Sequence, residues 1–227
     1  MTLRFEVAGA PPLEIEPKQL AIAGWTGRDR ASIDHHIEEL AAIGVPRPSS
    51  VPLYYRVAAS LLTQASQIEV LGAGSSGEVE PVLVRARGRW WLTVGSDHTD
   101  RDAERVGVAL SKQLCAKPIA SSAWAWESVA ARADTIGLRS EIFERGRWIR
   151  YQDGTLASVR PLEQLIAGLP ADAPVADGLV LFCGTLGALP DAAGRGVRPA
   201  ARMRLQLTDG DRTLMHEYAS TALPQVA

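Results

Sequence analysis

Short apolar runs closed by Gly, Pro or Asp dominate the chain, and that pattern predicts strands. LRFEVA at 3–8 and QLAIAG at 19–24 read as strands, with further strand-like runs at 67–71, 78–86, 89–96, 138–144, 147–151 and 179–184. The alternating runs at 202–208 and 212–218 flank Asp209-Gly210, a strong hairpin turn signal. Helical spacing runs from Asp29 to Ile43, where Gly44 and Pro46 end it. Gly suits the left-handed position after a helix, and Pro cannot continue one. Helical spacing returns at 100–112, 122–133 and 160–168, while three prolines within 45–52 make that stretch a loop. Strands outnumber helices and are joined mainly by hairpins. The expected fold is a β-rich α+β domain covering 1–227, with residues 1–60 forming an N-terminal cap or lid.

The chain has 227 residues, of which 46% are apolar and 22% charged. That balance is enough to bury a substantial core. Lys and Arg number 24 against 26 Asp and Glu, a net charge of −2. Such a balance argues against a nucleic-acid partner. The longest mostly apolar stretch, GLVLFCGTLGAL at 178–189, is broken by Gly and too short to cross a bilayer. The N-terminus carries no charged leader followed by an apolar core, so a cytoplasmic protein is expected. Cys115 and Cys183 are too few for a disulfide framework or zinc cage, and their apolar neighbours suggest buried free thiols.

Candidate chemistry concentrates in SSGEVEPVLVRARGRWWLTVGSDHTDRD, residues 75–102. Glu78 and Glu80 share a strand face with Val82 and Val84. A two-residue turn at Arg87-Gly88 would set Val84 opposite Trp91, Val82 opposite Thr93, Glu80 opposite the small Gly95 and Glu78 opposite Asp97. Three carboxylates then converge. Their mutual repulsion must be met by protons, by basic side chains or by a cation, and hard divalent ions prefer such oxygen ligands. A Mg²⁺ or Mn²⁺ site on Glu78, Glu80 and Asp97 is one reading; a solvated strand end with ordinary salt bridges is the other. A one-residue slip would turn Asp97 to the opposite face. His98, next to Asp97, points away from the ligand face on a continuing strand, and His216 on the C-terminal hairpin reads as structural. Trp90 and Trp91 face opposite ways, Trp91 drying the acidic side, and Trp124 and Trp126 read as core or interface residues.

The order of these motifs resembles the fumarylacetoacetate hydrolase superfamily, and within it a bacterial branch described as a domain of unknown function. The resemblance runs from about residue 24 to 218. GEVEPVLV resembles the family's Glu-x-Glu strand, and GSDHTDRD the segment carrying its third acid, with Arg101 and Asp102 matching the Arg and Asp that follow. SKQLCAKPIASS resembles the segment of the active-site lysine, here Lys117. PLEQLIAGL followed by GLVLFCGTLGAL resembles the late helix and the strand ending in Gly184-Thr185. Two departures stand out. Only a short turn fits between the Glu-x-Glu and Asp strands, where the family has a helix, and Leu186 replaces the usual Pro after Gly-Thr.

The resemblance implies a mixed β-sandwich or roll with flanking helices, a homodimer, and a Mg²⁺ or Mn²⁺ ion on Glu78, Glu80 and Asp97. It further implies a small 2-oxo acid or acylpyruvate substrate whose oxo-carboxylate the metal captures, with hydrolysis of a C–C bond as the leading reaction. Decarboxylation, hydration or isomerisation on the same site, or a non-catalytic binding module, are the alternatives. Lys117 would supply positive charge at the developing oxyanion, Thr185 and Gly184 would contact substrate, and Arg101 would position it. The family often places a His and a Glu three apart on a lid helix. At about 100° per residue, Ile33, Ile37 and Leu40 define the buried stripe; His36 lies about 60° and Glu39 about 120° from Ile33 on its flank. His35 and Glu38 fall on the far side. His36 and Glu39 are therefore the better catalytic pair, although such pairs are also common on helix surfaces. Lys117 sits in apolar LCAKPI, which favours an inward ammonium over a surface one.

Overall fold

Two sheets and one buried layer between them organise the chain. The computed structural model describes residues 1–42 and 47–226, without the side chains of Ser32, His35, His36, Glu39, Leu40 and Ala42. One sheet has six strands in the order Trp124–Ala125, Arg89–Ser96, Val79–Ala86, Leu179–Phe182, Gln19–Gly24, Leu53–Val57. The other has five, in the order Arg147–Thr155, Gly137–Glu144, Arg202–Asp209, Arg212–Leu223, Gln67–Leu71. Both are mixed: Leu179–Phe182 runs parallel to Gln19–Gly24, and Arg212–Leu223 parallel to Gln67–Leu71.

The six-stranded sheet is covered on both faces. Leu83, Leu92 and Val94 pack with Leu138, Leu205 and Leu207 of the other sheet. On the far face Val82, Val84, Trp91 and Phe182 pack with Leu3, Phe5, Leu13 and Ile15 of the N-terminal hairpin, whose strands are Leu3–Val7 and Ala10–Ile15. Burial on both sides explains why these strands read as continuous apolar runs, whereas Arg202–Asp209 alternates. Trp90 joins the first cluster and Trp91 the second, as their adjacency requires. Both cysteines are free and buried.

Three expected elements differ. The helix at 100–112 divides into a 3₁₀ turn, Ala103–Arg105, and the helix Val108–Gln113. Extended Gly107 interrupts it, and the Asp100 carboxylate accepts from the backbone N–H groups of Asp102 and Ala103. The stretch 122–133 holds a strand, Trp124–Ala125, and 3₁₀ turns. Trp124, Trp126 and Val129 bury themselves in the inter-sheet core, and packing overrides local spacing. The strand at 179–184 stops at Phe182, since Gly184 turns the chain with φ 94°. The sequence pattern does not reveal the strands Ala10–Ile15 and Leu53–Val57, because Pro11-Pro12 and the proline-rich approach conceal them.

Within 1–60, Gln19–Gly24 and Leu53–Val57 are strands of the six-stranded sheet, and the helix Arg30–Ala42 lies between them in the chain. Ile33 and Ile37 are buried on that helix, while Glu38 is exposed and pairs with Arg47. The expected stop at Gly44 and Pro46 lies outside the described residues. No helix among the described residues is long and apolar enough to cross a membrane.

Candidate metal centre and its surroundings

The site begins with a turn. Arg87 (φ 54°) and Gly88 (φ 71°) occupy the left-handed region in succession. A tight two-residue hairpin demands that conformation. The turn sets the register Val84↔Trp91, Val82↔Thr93 and Glu80↔Gly95. Beyond the last ladder pair, the Asp97 N–H donates to the Glu78 carbonyl at 3.2 Å, which continues the same register. Glu78, Glu80 and Asp97 therefore share one face, and each offers a carboxylate oxygen within 4.8 Å of the others. The small Gly95 opposite Glu80 would be expected to leave space, but Phe182 and the Pro118 carbonyl fill it, and a Cβ there would meet both at 2.9 Å.

Glu80 is 2% exposed and Asp97 fully buried. Charges so enclosed need partners. Lys117 places its ammonium 3.0 Å from Asp97 Oδ1 and 2.5 Å from the His98 carbonyl. Lys112 contacts Asp97 Oδ2 and lies 5.5 Å from the centre of the Tyr55 ring. Arg101 pairs with Glu78 Oε1 at 2.9 Å and with Glu104 at 3.0 Å, and its Nε donates to Ser76. Sequence reasoning does not single out Lys112, because its position on the short helix depends on the break at Gly107.

Burial, and then the neighbouring Asp97 charge, push the Glu80 carboxyl well above the usual carboxylate range. Burial acts the same way on Asp97, but Lys112 and Lys117 outweigh it and hold that group below its ordinary value. Desolvation lowers Lys117 despite Asp97 beside it; Lys112 is raised, because Asp97 and Glu78 overcome the cost of burial. An all-oxygen donor set with one acid driven towards protonation has the chemistry to accept a hard divalent cation. The residues fit such an ion.

Gly184 and Thr185 come to the same place. The Gly184 N–H donates to Glu80 Oε2 at 2.8 Å, and Thr185 Oγ1 donates to the Val79 carbonyl at 2.7 Å. Gln152, which sequence reasoning misses, holds this junction. Its Oε1 accepts from the Val79 N–H at 2.9 Å and from Ser140 at 2.8 Å, and its amide donates to Thr185 Oγ1 and the Leu186 carbonyl, both at 2.7 Å. Adjacent Tyr151 and Gln152 are both buried where the strand register shifts, so strand alternation gives no signal for Gln152.

His98 is turned from the acids: Nδ1 meets Tyr218 and Nε2 meets Ser75, each at 2.9 Å, and burial drives its pKa down to about 3. His216 stacks on Tyr218. The side chains of His35, His36 and Glu39 lie outside the described residues, so the expected lid pair is placed on the helix Arg30–Ala42 by its backbone alone.

The architecture is the fumarylacetoacetate hydrolase-like fold, a β-rich α+β arrangement. A structure of 2-keto-3-deoxyarabinonate dehydratase matches with a TM-score of 0.66 at 16% identity, covering 93% of this chain and 76% of that one. A structure of 2-keto-3-deoxy-D-arabinonate dehydratase complexed with magnesium and 2,5-dioxopentanoate matches with a TM-score of 0.62 at 16% identity, covering 92% and 75%. The 4-oxalocrotonate decarboxylase from Pseudomonas putida G7, complexed with calcium and acetate, matches with a TM-score of 0.55 at 14% identity, covering 88% and 76%. No curated protein matches in sequence. Residues 23–218 match the family described as "Protein of unknown function (DUF2848)", and the chain belongs to it.

Proposed function

We propose that the protein is a divalent-metal-dependent enzyme acting on a small 2-oxo acid or acylpyruvate. The observation that carries this reading is the cluster of half-buried Glu78 with buried Glu80 and Asp97, with Lys117 against it. Glu78, Glu80 and Asp97 would hold Mg²⁺ or Mn²⁺, which when bound supplies Lewis-acid stabilisation of negative charge developing on a substrate oxygen. Lys117, enclosed and desolvated, adds a fixed positive charge beside that position. Arg101 orients Glu78 through its ion pair. Gly184 fixes Glu80, and Thr185, held by Gln152, presents a hydroxyl for the substrate. His36, oriented by Glu39, activates water or moves a proton from the helix Arg30–Ala42, to which the cap role of residues 1–60 is narrowed.

Hydrolysis of a C–C bond is the finer reading, because the His36–Glu39 pair supplies a base for water. A second reading is a lyase on the same site, by dehydration or decarboxylation, which the named activities of the similar structures favour. The family resemblance supports a single domain over 1–227 and a homodimer, and light scattering tests the dimer. The deciding experiment incubates the protein with acylpyruvates, oxaloacetate and 3-deoxy-2-oxo sugar acids, with Mg²⁺, Mn²⁺ or EDTA, and identifies products by mass spectrometry. Metal-dependent turnover of one class is expected. No turnover, together with no stabilisation by oxalate or pyruvate plus metal, would leave a non-catalytic module.

A further inference from the structure

The ladder of the acid-bearing hairpin closes at Val79↔Ser96, and Glu78 and Asp97 lie one step past it, joined by the bond from the Asp97 N–H to the Glu78 carbonyl. The end of a strand pair opens more readily than its middle. A side chain from the five-stranded sheet reaches this end. The hydroxyl of Tyr218, on the strand Arg212–Leu223, meets Ser96 Oγ and His98 Nδ1, each at 2.9 Å. Ser96 and His98 are the two chain neighbours of Asp97, and alternation turns both away from the acids. Ser96 Oγ also accepts from the Glu78 N–H at 3.1 Å. His98 carries the grip further: its Nε2 meets Ser75, on the short strand Ser75–Ser76 that pairs with Thr99–Asp100, and its carbonyl accepts from Lys117. A single phenol thus braces the main chain of Glu78 and both sides of Asp97.

The phenol is itself held. Its ring lies edge-on to His98 with centroids 5.7 Å apart and stacks on His216 at 6.1 Å. Its approach needs Gly77, where a Cβ would collide with Tyr218 Oη, Met203 Sδ and Ser96 Oγ. Phenylalanine would fill the same volume of core, so the buried hydroxyl is there for the bonds it makes. We propose that Tyr218 is a positioning residue that sets the cation selectivity of the acidic site: by stiffening the chain on both sides of Asp97, it holds the Glu78–Asp97 spacing to the narrow range that a small octahedral ion requires. The proposal rests on the metal-site reading above. Mg²⁺ needs near-ideal octahedral geometry at about 2.0–2.1 Å, whereas Ca²⁺ accepts about 2.3–2.6 Å and a variable ligand number. The strand register decides where the acids lie; the phenol limits how far they stray. Its loss should therefore harm Mg²⁺ binding and spare Ca²⁺ binding, a split that general destabilisation does not produce.

The test uses the full chain, cleared of metal with EDTA and titrated separately with Mg²⁺ and Ca²⁺ by calorimetry. Tyr218→Phe keeps the ring and removes the hydroxyl. It is expected to bind Mg²⁺ about tenfold more weakly while its Ca²⁺ affinity changes less than about twofold. Ser96→Ala cuts the same link from the other end; it should move the Mg²⁺-to-Ca²⁺ ratio the same way, and it decides the matter if Tyr218→Phe does not fold. Leu207→Val, in the same inter-sheet core but outside the hydrogen-bonded network, should lower the melting temperature and leave the ratio unchanged. Affinities for the two ions that are unchanged or fall together in a folded Tyr218→Phe, or a ratio that Leu207→Val shifts as far, overturn the selectivity role while leaving the metal site standing. A wild-type protein that binds neither Mg²⁺ nor Mn²⁺ overturns the metal-site reading and the selectivity role together.

Discussion

Glu78 and Asp97 face each other one step beyond the last ladder pair of a hairpin, the Asp97 N–H donating to the Glu78 carbonyl at 3.2 Å. The two acids are thus brought together by main-chain pairing, and burial, followed by the Asp97 charge, makes the third acid on that face, Glu80, hold its proton more tightly.

Glu80→Gln keeps an acceptor for the Gly184 N–H while removing the charge that Asp97 opposes. The metal-free variant should be more stable than wild type by about 1 kcal/mol, because the amide carries no cost of burying a carboxylate beside Asp97 or of protonating it. The thermal shift produced by Mg²⁺ should disappear. Urea and thermal melts with and without Mg²⁺ measure both; an unchanged Mg²⁺ shift refutes Glu80 as a ligand.

His98 gives the metal-free protein a pH dependence of defined sign. Its folded pKa is lowered from 6.5 to about 3, so between those values the unfolded chain binds a proton that the folded chain does not. The contribution should be complete above the unfolded value and be lost as pH drops towards the folded one, by as much as about 1.4 kcal/mol per unit. Burial of the neutral ring between Tyr218 and Ser75 is the cause. His98→Gln should flatten this slope in urea melts run across that range with EDTA present.

Gln152→Leu strands the Val79 N–H and frees the Thr185 hydroxyl. Loss of about 3 kcal/mol is expected, since buried partners are left unsatisfied. Turnover at saturating substrate should drop more than metal affinity does, because Thr185 loses its orientation while the three acids keep theirs. Equal losses in both would place Gln152 outside substrate positioning.

Gly184→Ala combines two penalties. The backbone there has φ +94°, and a Cβ would lie 1.6 Å from Thr26 Oγ1. A positive φ is unfavourable for any residue with a Cβ. Destabilisation of more than about 2 kcal/mol is expected, with weaker Mg²⁺ binding as the Glu80 hydrogen bond is disturbed. Adding Thr26→Ala should restore part of the stability, since it relieves the collision and not the dihedral strain. Complete rescue, read in the same urea melts, would show that the dihedral contributes nothing.

The acidic face is legible in the sequence because strand geometry is arithmetic. Once Arg87-Gly88 is taken as the turn, a side-chain period of two places Glu78, Glu80 and Asp97 together with no knowledge of the rest of the molecule. The strands with unbroken apolar or alternating runs are equally plain, from LRFEVA to the pair around Asp209-Gly210. What stays hidden depends on distant packing. Lys112 reaches Asp97 only because Gly107 breaks the expected helix and re-aims its second half. Gln152 joins residues 33 and 34 positions further along the chain, contacts that no local pattern encodes. Trp124–Ala125 reads as helix because its burial is decided by the opposite sheet.

The six-stranded sheet, walled in on both faces, has a mechanical consequence. Its acids sit in the stiffest layer of the molecule, where shifting one strand would disturb two cores at once. The Val108–Gln113 helix is short and stands outside the ladder. The spacing of the three carboxylates is therefore set by the sheet itself.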